Sequence, residues 1–139
     1  MGYNTDFLGT LDFIEELTAS QIVKLRSILG EDCREHPEWK DEKGMTYIDL
    51  KLTDDFSGIE WDNSEKSYDM PHKVKLVVRL MRETWPEFKG VKGKILAQGE
   101  DIEDRWELIA DGGSVVEREV PIDGIVVECP HCGEKYVYN

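Results

Sequence analysis

No stretch of this 139-residue chain stays apolar long enough to cross a bilayer, and the opening residues Met1-Gly2-Tyr3-Asn4-Thr5-Asp6 lack the basic and apolar regions of a secretory signal. Both absences predict a cytoplasmic protein without a membrane partner. Positive charge is scarce: 17 Lys and Arg stand against 30 Asp and Glu, a formal net charge of -13. A field of that sign repels nucleic-acid phosphates, so a basic protein is the expected partner and direct nucleic-acid binding the weaker reading. Cysteine is scarce too, at three residues. An odd number in a reducing compartment points to thiols or metal ligands over a disulfide framework. There is no glycine loop of the phosphate-binding type, and the turn from Asp54 to Gly58 lacks the alternating oxygen ligands of an EF-hand. No serine or cysteine stands beside a recognisable base. No catalytic residue is marked, and a non-enzymatic role leads.

What is present supports one domain over residues 1–139, with 40% hydrophobic residues and four tryptophans to fill a core. Phe7, Leu11 and Phe13 alternate with Thr10 and Asp12 as a half-buried strand does. Leu17-Thr18-Ala19-Ser20-Gln21-Ile22 carries a capping box and a hydrophobic staple, and Gly30 is the expected helix end. Residues 31–44 read as a loop. Ile48, Leu50 and Leu52 predict a second strand, turned at residues 54–58 into a third through Ile59 and Trp61. Pro71 opens a second helix whose Val74, Val77, Val78, Met81 and Trp85 share a face until Pro86. Further strands are expected over 91–98, 105–109 and 115–120, the last two joined at Asp111-Gly112-Gly113. Strand, helix, two strands, helix, strand is the order of an α+β, ferredoxin-like (split βαβ) antiparallel sheet with both helices on one face. A β-hairpin would extend that sheet, and residues 125–139 would form a C-terminal zinc-knuckle hairpin as an appendage.

The knuckle is Val127-Glu128-Cys129-Pro130-His131-Cys132-Gly133-Glu134. Two thiols two residues apart, with proline between and glycine after, can turn both sulfurs to one ion. A structural zinc takes four ligands, so Cys129 and Cys132 supply half a site. Cys33 and His36, spaced C-x-x-H in the loop after the first helix, are the expected completing pair; paired knuckles in a metal-linked dimer are the alternative. Cys129 to Gly133 resembles the Cys-Pro-x-Cys-Gly knuckles of zinc ribbons and rubredoxin-like modules, which implies a structural metal and no particular activity. Cys-Pro-His-Cys also resembles the active dithiol of thiol oxidants in the thioredoxin superfamily, but only seven residues follow Cys132, too few for the helix that activates such a thiol.

Charge is polarised along the chain. Lys66 to Lys94 holds eight basic and three acidic residues, a net of +5 that leaves -18 on the remainder. Acidic clusters stand at Asp54, Asp55, Glu60, Asp62 and Glu65, and again at Glu100, Asp101, Glu103, Asp104 and Glu107. Carboxylates on a rigid surface can imitate duplex phosphates and steer a basic cleft toward them. The leading expectation is thus an acidic protein-interaction module, a regulator or inhibitor of a nucleic-acid-binding enzyme, with structural zinc. A small zinc-supported enzyme is the alternative, as is nucleic-acid binding through the basic Lys66 to Lys94 segment, where Lys73, Lys75, Arg79 and Arg82 lie on the helix face. Trp39 and Trp61, outside the core-facing patterns, are expected in exposed partner contacts.

Overall fold

Alternation at Phe7, Leu11 and Phe13 does produce a strand, but Gly9 divides it into β1 (Thr5–Leu8) and β2 (Thr10–Phe13). The chain is described here by a computed structural model covering residues 4–41, 43–120, 125–128 and 135–138, the last two segments by backbone alone. Gly9 has φ 122°, and a Cβ there would lie 2.7 Å from the Lys94 carbonyl oxygen, so a side chain is excluded on two counts. The break leaves the register intact: Leu8 faces Leu96 and Leu11 faces Gly93 on the same partner strand.

Helix α1 (Ala19–Arg26) begins at the capping box, where the Thr18 hydroxyl accepts from the Gln21 N–H and the Gln21 side chain accepts from the Thr18 N–H. It ends four residues before Gly30. Ser27, in place of glycine, closes it, and the Gly30 N–H instead donates to the Ile48 carbonyl, tying the following turn to the next sheet segment. The loop after it is ordered by two short 3-10 turns, Cys33–Glu35 and Pro37–Trp39. Strands β3 (Leu50–Leu52) and β4 (Gly58–Trp61) form the expected hairpin. Helix α2 (Met70–Thr84) buries Val74, Val77, Val78 and Met81, each at 2% exposure or less. Each such side chain contributes on the order of 1.5–3 kcal/mol of transfer free energy.

Strands β5 (Val91–Gly99), β6 (Arg105–Gly112) and β7 (Ser114–Glu119) follow as a meander. The result is an α+β fold, a seven-stranded antiparallel sheet with two helices, in the order β3-β4-β2-β5-β6-β7, with β1 pairing β5. Leu52, Ile59, Leu11, Gly93, Ala110 and Val115 form one cross-strand row on the buried face. The opposite face carries Lys51, Glu60, Thr10, Lys94 and Val116 and is solvated, as an antiparallel sheet allows. Strands β8 (Ile125–Glu128) and β9 (Lys135–Tyr138) pair as a separate antiparallel hairpin, with Glu128 opposite Lys135. The knuckle residues between them, Cys129 and Cys132 included, lie outside the described residues.

Candidate functional site

Strand direction decides how the acidic residues group. β1 and β2 run antiparallel to both β4 and β5, so the C-terminal ends of β4 and β5 emerge at the same end of the sheet. Asp62 and Glu65 therefore share that end with Glu100, Asp101, Glu103 and Asp104. Asn4 ties the two loops together: its N–H donates to Glu100 Oε1 at 2.9 Å, and its Oδ1 accepts from the Lys66 N–H at 3.2 Å. Asp54 and Asp55, in the β3–β4 turn, lie at the opposite end.

Several of these carboxylates are committed locally. Asp55 accepts from the Thr53 hydroxyl and from the Ser57 N–H and hydroxyl, and those bonds, the Ser57 hydroxyl foremost, hold its pKa down at about 2. Asp62 accepts from the Ser64 N–H in a turn, Glu60 faces Lys51 at 3.8 Å, and Glu107 takes Arg118 at 2.8 Å. Glu65, Glu100 and Glu103 are exposed.

The tryptophans depart from expectation. Trp39 is buried at 6% exposure, stacked on the His36 ring at 4.1 Å, and its carbonyl accepts from Arg79; it fills the space between the 3-10 turns and α2 and is not an exposed contact. Trp61 is half-buried, edge-on to Phe7 at 5.5 Å, with its indole N–H donating to the Ser67 hydroxyl. Next to it the open edge of β1 borders a groove of about 620 Å³ lined by Leu8, Trp61 and Leu96 among others.

Cys33 is buried at 4% exposure, and burial, with the nearby Asp41 carboxylate, pushes its thiol up to about 11. His36 has both ring nitrogens engaged, Nδ1 with Glu38 at 2.8 Å and Nε2 with Glu31 at 3.3 Å. The Glu38 hydrogen bond, foremost, raises its pKa. Ligation by this pair requires a thiolate at Cys33 and release of one carboxylate by His36. Among the described residues no group of three or more His, Cys, Asp or Glu side chains is arranged to hold a metal ion.

The basic stripe of α2 is also divided. Lys73 is 1% exposed, its Nζ donating to Asp49 Oδ2 at 2.8 Å, and so is no surface cation. The Arg82 Nε donates to the Phe88 carbonyl and fastens the segment after the helix. Lys75 and Arg79 instead join Lys40, Lys43 and His72 around a cleft of about 620 Å³. Sequence spacing along α2 signals Lys75 with Arg79 but not the two lysines, which arrive through the loop from the first helix. Comparison with family models, with curated proteins and with solved structures finds no match to this chain.

Proposed function

We propose that this chain is a non-enzymatic, acidic interaction module that presents one end of its sheet to a basic partner, as a regulator or inhibitor of a nucleic-acid-binding enzyme does. The observation that carries the reading is the convergence of Asp62 and Glu65 with Glu100, Asp101, Glu103 and Asp104 from loops far apart in sequence. A rigid group of carboxylates raises the association rate with a basic surface and weakens with salt. Two finer proposals accompany it. Strands β2, β3, β4 and β5 with α1 and α2 make a split βαβ unit, supported by the strand order β3-β4-β2-β5. Cys129 and Cys132 form half of a structural zinc site, which the same two thiols of a second chain complete in place of the buried Cys33 and the carboxylate-bound His36.

The test is the amide variant Asp62→Asn, Glu65→Gln, Glu100→Gln, Glu103→Gln. Affinity capture at about 50 mM and about 500 mM salt, a range that spans the screening of exposed charges, should yield a nucleic-acid-binding protein that is retained only at low salt. The variant should lose it while keeping its melting temperature. Equal retention by the variant would sink the reading. A second reading is favoured by the cleft of Lys40, Lys43, His72, Lys75 and Arg79, where the cations outnumber the one carboxylate, Asp41, which the Lys43 and Met45 N–H groups engage. Binding of single-stranded DNA that Lys75→Glu abolishes would support it.

A further inference from the structure

We propose that the open edge of β1 accepts an added strand from the partner, an extended segment with an apolar residue against Leu8 and lysine or arginine two positions along, against Asp6. The inference rests on the reading of the acidic end as a docking face and names how a partner engages it. Its first support is backbone direction. The Phe13 N–H donates toward β4, to the Ser57 carbonyl, and the Ile14 N–H donates toward β5, to the Gly90 carbonyl. Odd-numbered residues thus turn their polar backbone groups to the β4 side. The register with β5 is the same on both sides of Gly9, so the alternation carries through to Phe7 and Thr5.

On that side β4 pairs only with Thr10, Leu11 and Asp12. Beyond Trp61 the chain leaves the sheet, and β1 pairs with β5 alone among the described residues. Thr5 and Phe7 therefore present N–H and C=O groups to an unfilled strand position, and the groove of about 620 Å³ lies there. An exposed edge of this kind is a template for another strand.

The groove also selects chemistry. Leu8, an apolar side chain 73% exposed, stands beside Leu96 on its wall, with Trp61 beyond. An incoming strand would cover the two leucines with the side chain that it sets opposite Leu8. Asp6 lies on the same face two residues before Leu8, and Asn4 holds the loops of Glu65 and Glu100 at its end, so the position two residues from the apolar one suits a cation. The other outer edges are less inviting: β3 is three residues long, and β7 carries Glu117, Arg118 and Glu119.

The experiment titrates the full chain with a synthetic peptide of Lys-Lys-Val-Val repeats, which sets lysine and valine in turn on each face of a strand, and with its glutamate–valine counterpart, followed by amide hydrogen exchange and NMR. The lysine peptide should bind, slow exchange at the Thr5 and Phe7 amides, and shift the Trp61 indole N–H. The glutamate peptide should not bind. Thr5→Pro removes one edge donor while sparing the ladder with β5 and should lower affinity at least tenfold. Leu8→Ser, at an exposed position, should lower it severalfold without loss of melting temperature, which keeps the test valid if the proline variant folds poorly. Binding that leaves the Thr5 and Phe7 amides unprotected overturns strand addition. If that binding is still lost in the four-amide variant, the acidic docking face stands without it. Protection of the same amides by self-association alone assigns the edge to a second copy and also overturns the proposal. Affinity unchanged in the four-amide variant, with the edge protected, counts against the acidic reading instead.

Discussion

The buried pair of Lys73 and Asp49 shows how much a single side chain can cost this fold. Their side chains are 2% and 9% exposed and 2.8 Å apart. Desolvating two charges consumes much of what their attraction returns, so the pair adds little net stability, yet either charge left alone is expensive. Lys73→Ala should therefore lower unfolding free energy by about 3–5 kcal/mol, read from urea denaturation. Replacing both, Lys73→Met with Asp49→Leu, should recover most of that loss. A single variant within about 1 kcal/mol of the parent would show that water or another group compensates Asp49. Helical spacing separates Lys73 from Lys75: Lys73 falls on the row of Met70, Val77 and Leu80, and Lys75 on that of Arg79 and Arg82. What the spacing does not supply is the partner, which the segment carrying Asp49 brings.

At the level of elements, the parts legible in the sequence are those fixed by local chemistry. The Thr18 capping box, the α2 face with Pro71 at its start, and the β6–β7 turn all form where the residues specify them. What escaped depends on distant chain segments. The helix end moved from Gly30 to Ser27 because Gly30 is held by Ile48, and Trp39 was drawn into the core by α2. Gly90 is a further case. It precedes β5 with φ 92°, and a Cβ there would stand 2.2 Å from the Gly112 carbonyl oxygen. Gly90→Ala forces the start of β5 away from the end of β6, at a backbone angle that itself costs on the order of 1–3 kcal/mol. Thermal unfolding should show a drop of several degrees, with faster exchange at the Val91 amide than at Ile95. A uniform change across β5 would argue against a local displacement.

For the molecule as a whole, the acidic residues were readable as clusters, but their grouping was not. Asp62 and Glu100 share one end of the sheet because β4 and β5 run in the same direction on either side of β2, a property of the sheet and not of either segment. The zinc proposal turns on the same kind of long-range placement. Cys129 and Cys132 need two further ligands. Cys33 offers a thiol whose pKa stands at about 11, and His36 is held between Glu38 and Glu31, so both must be reorganised before they can bind metal. Deprotonation of such a thiol at neutral pH offsets part of the metal affinity. Two knuckles from two chains avoid that cost. The expected outcome is one zinc per two chains by elemental analysis and native mass spectrometry. Cys129→Ser should abolish metal binding and return the protein to a monomer, while Cys33→Ala should leave metal content unchanged. One zinc per monomer, lost in Cys33→Ala, would instead establish Cys33, His36, Cys129 and Cys132 as a single site. The loop after α1 would then be joined to the C-terminal hairpin through the metal, and chelation should lower the melting temperature of the whole domain.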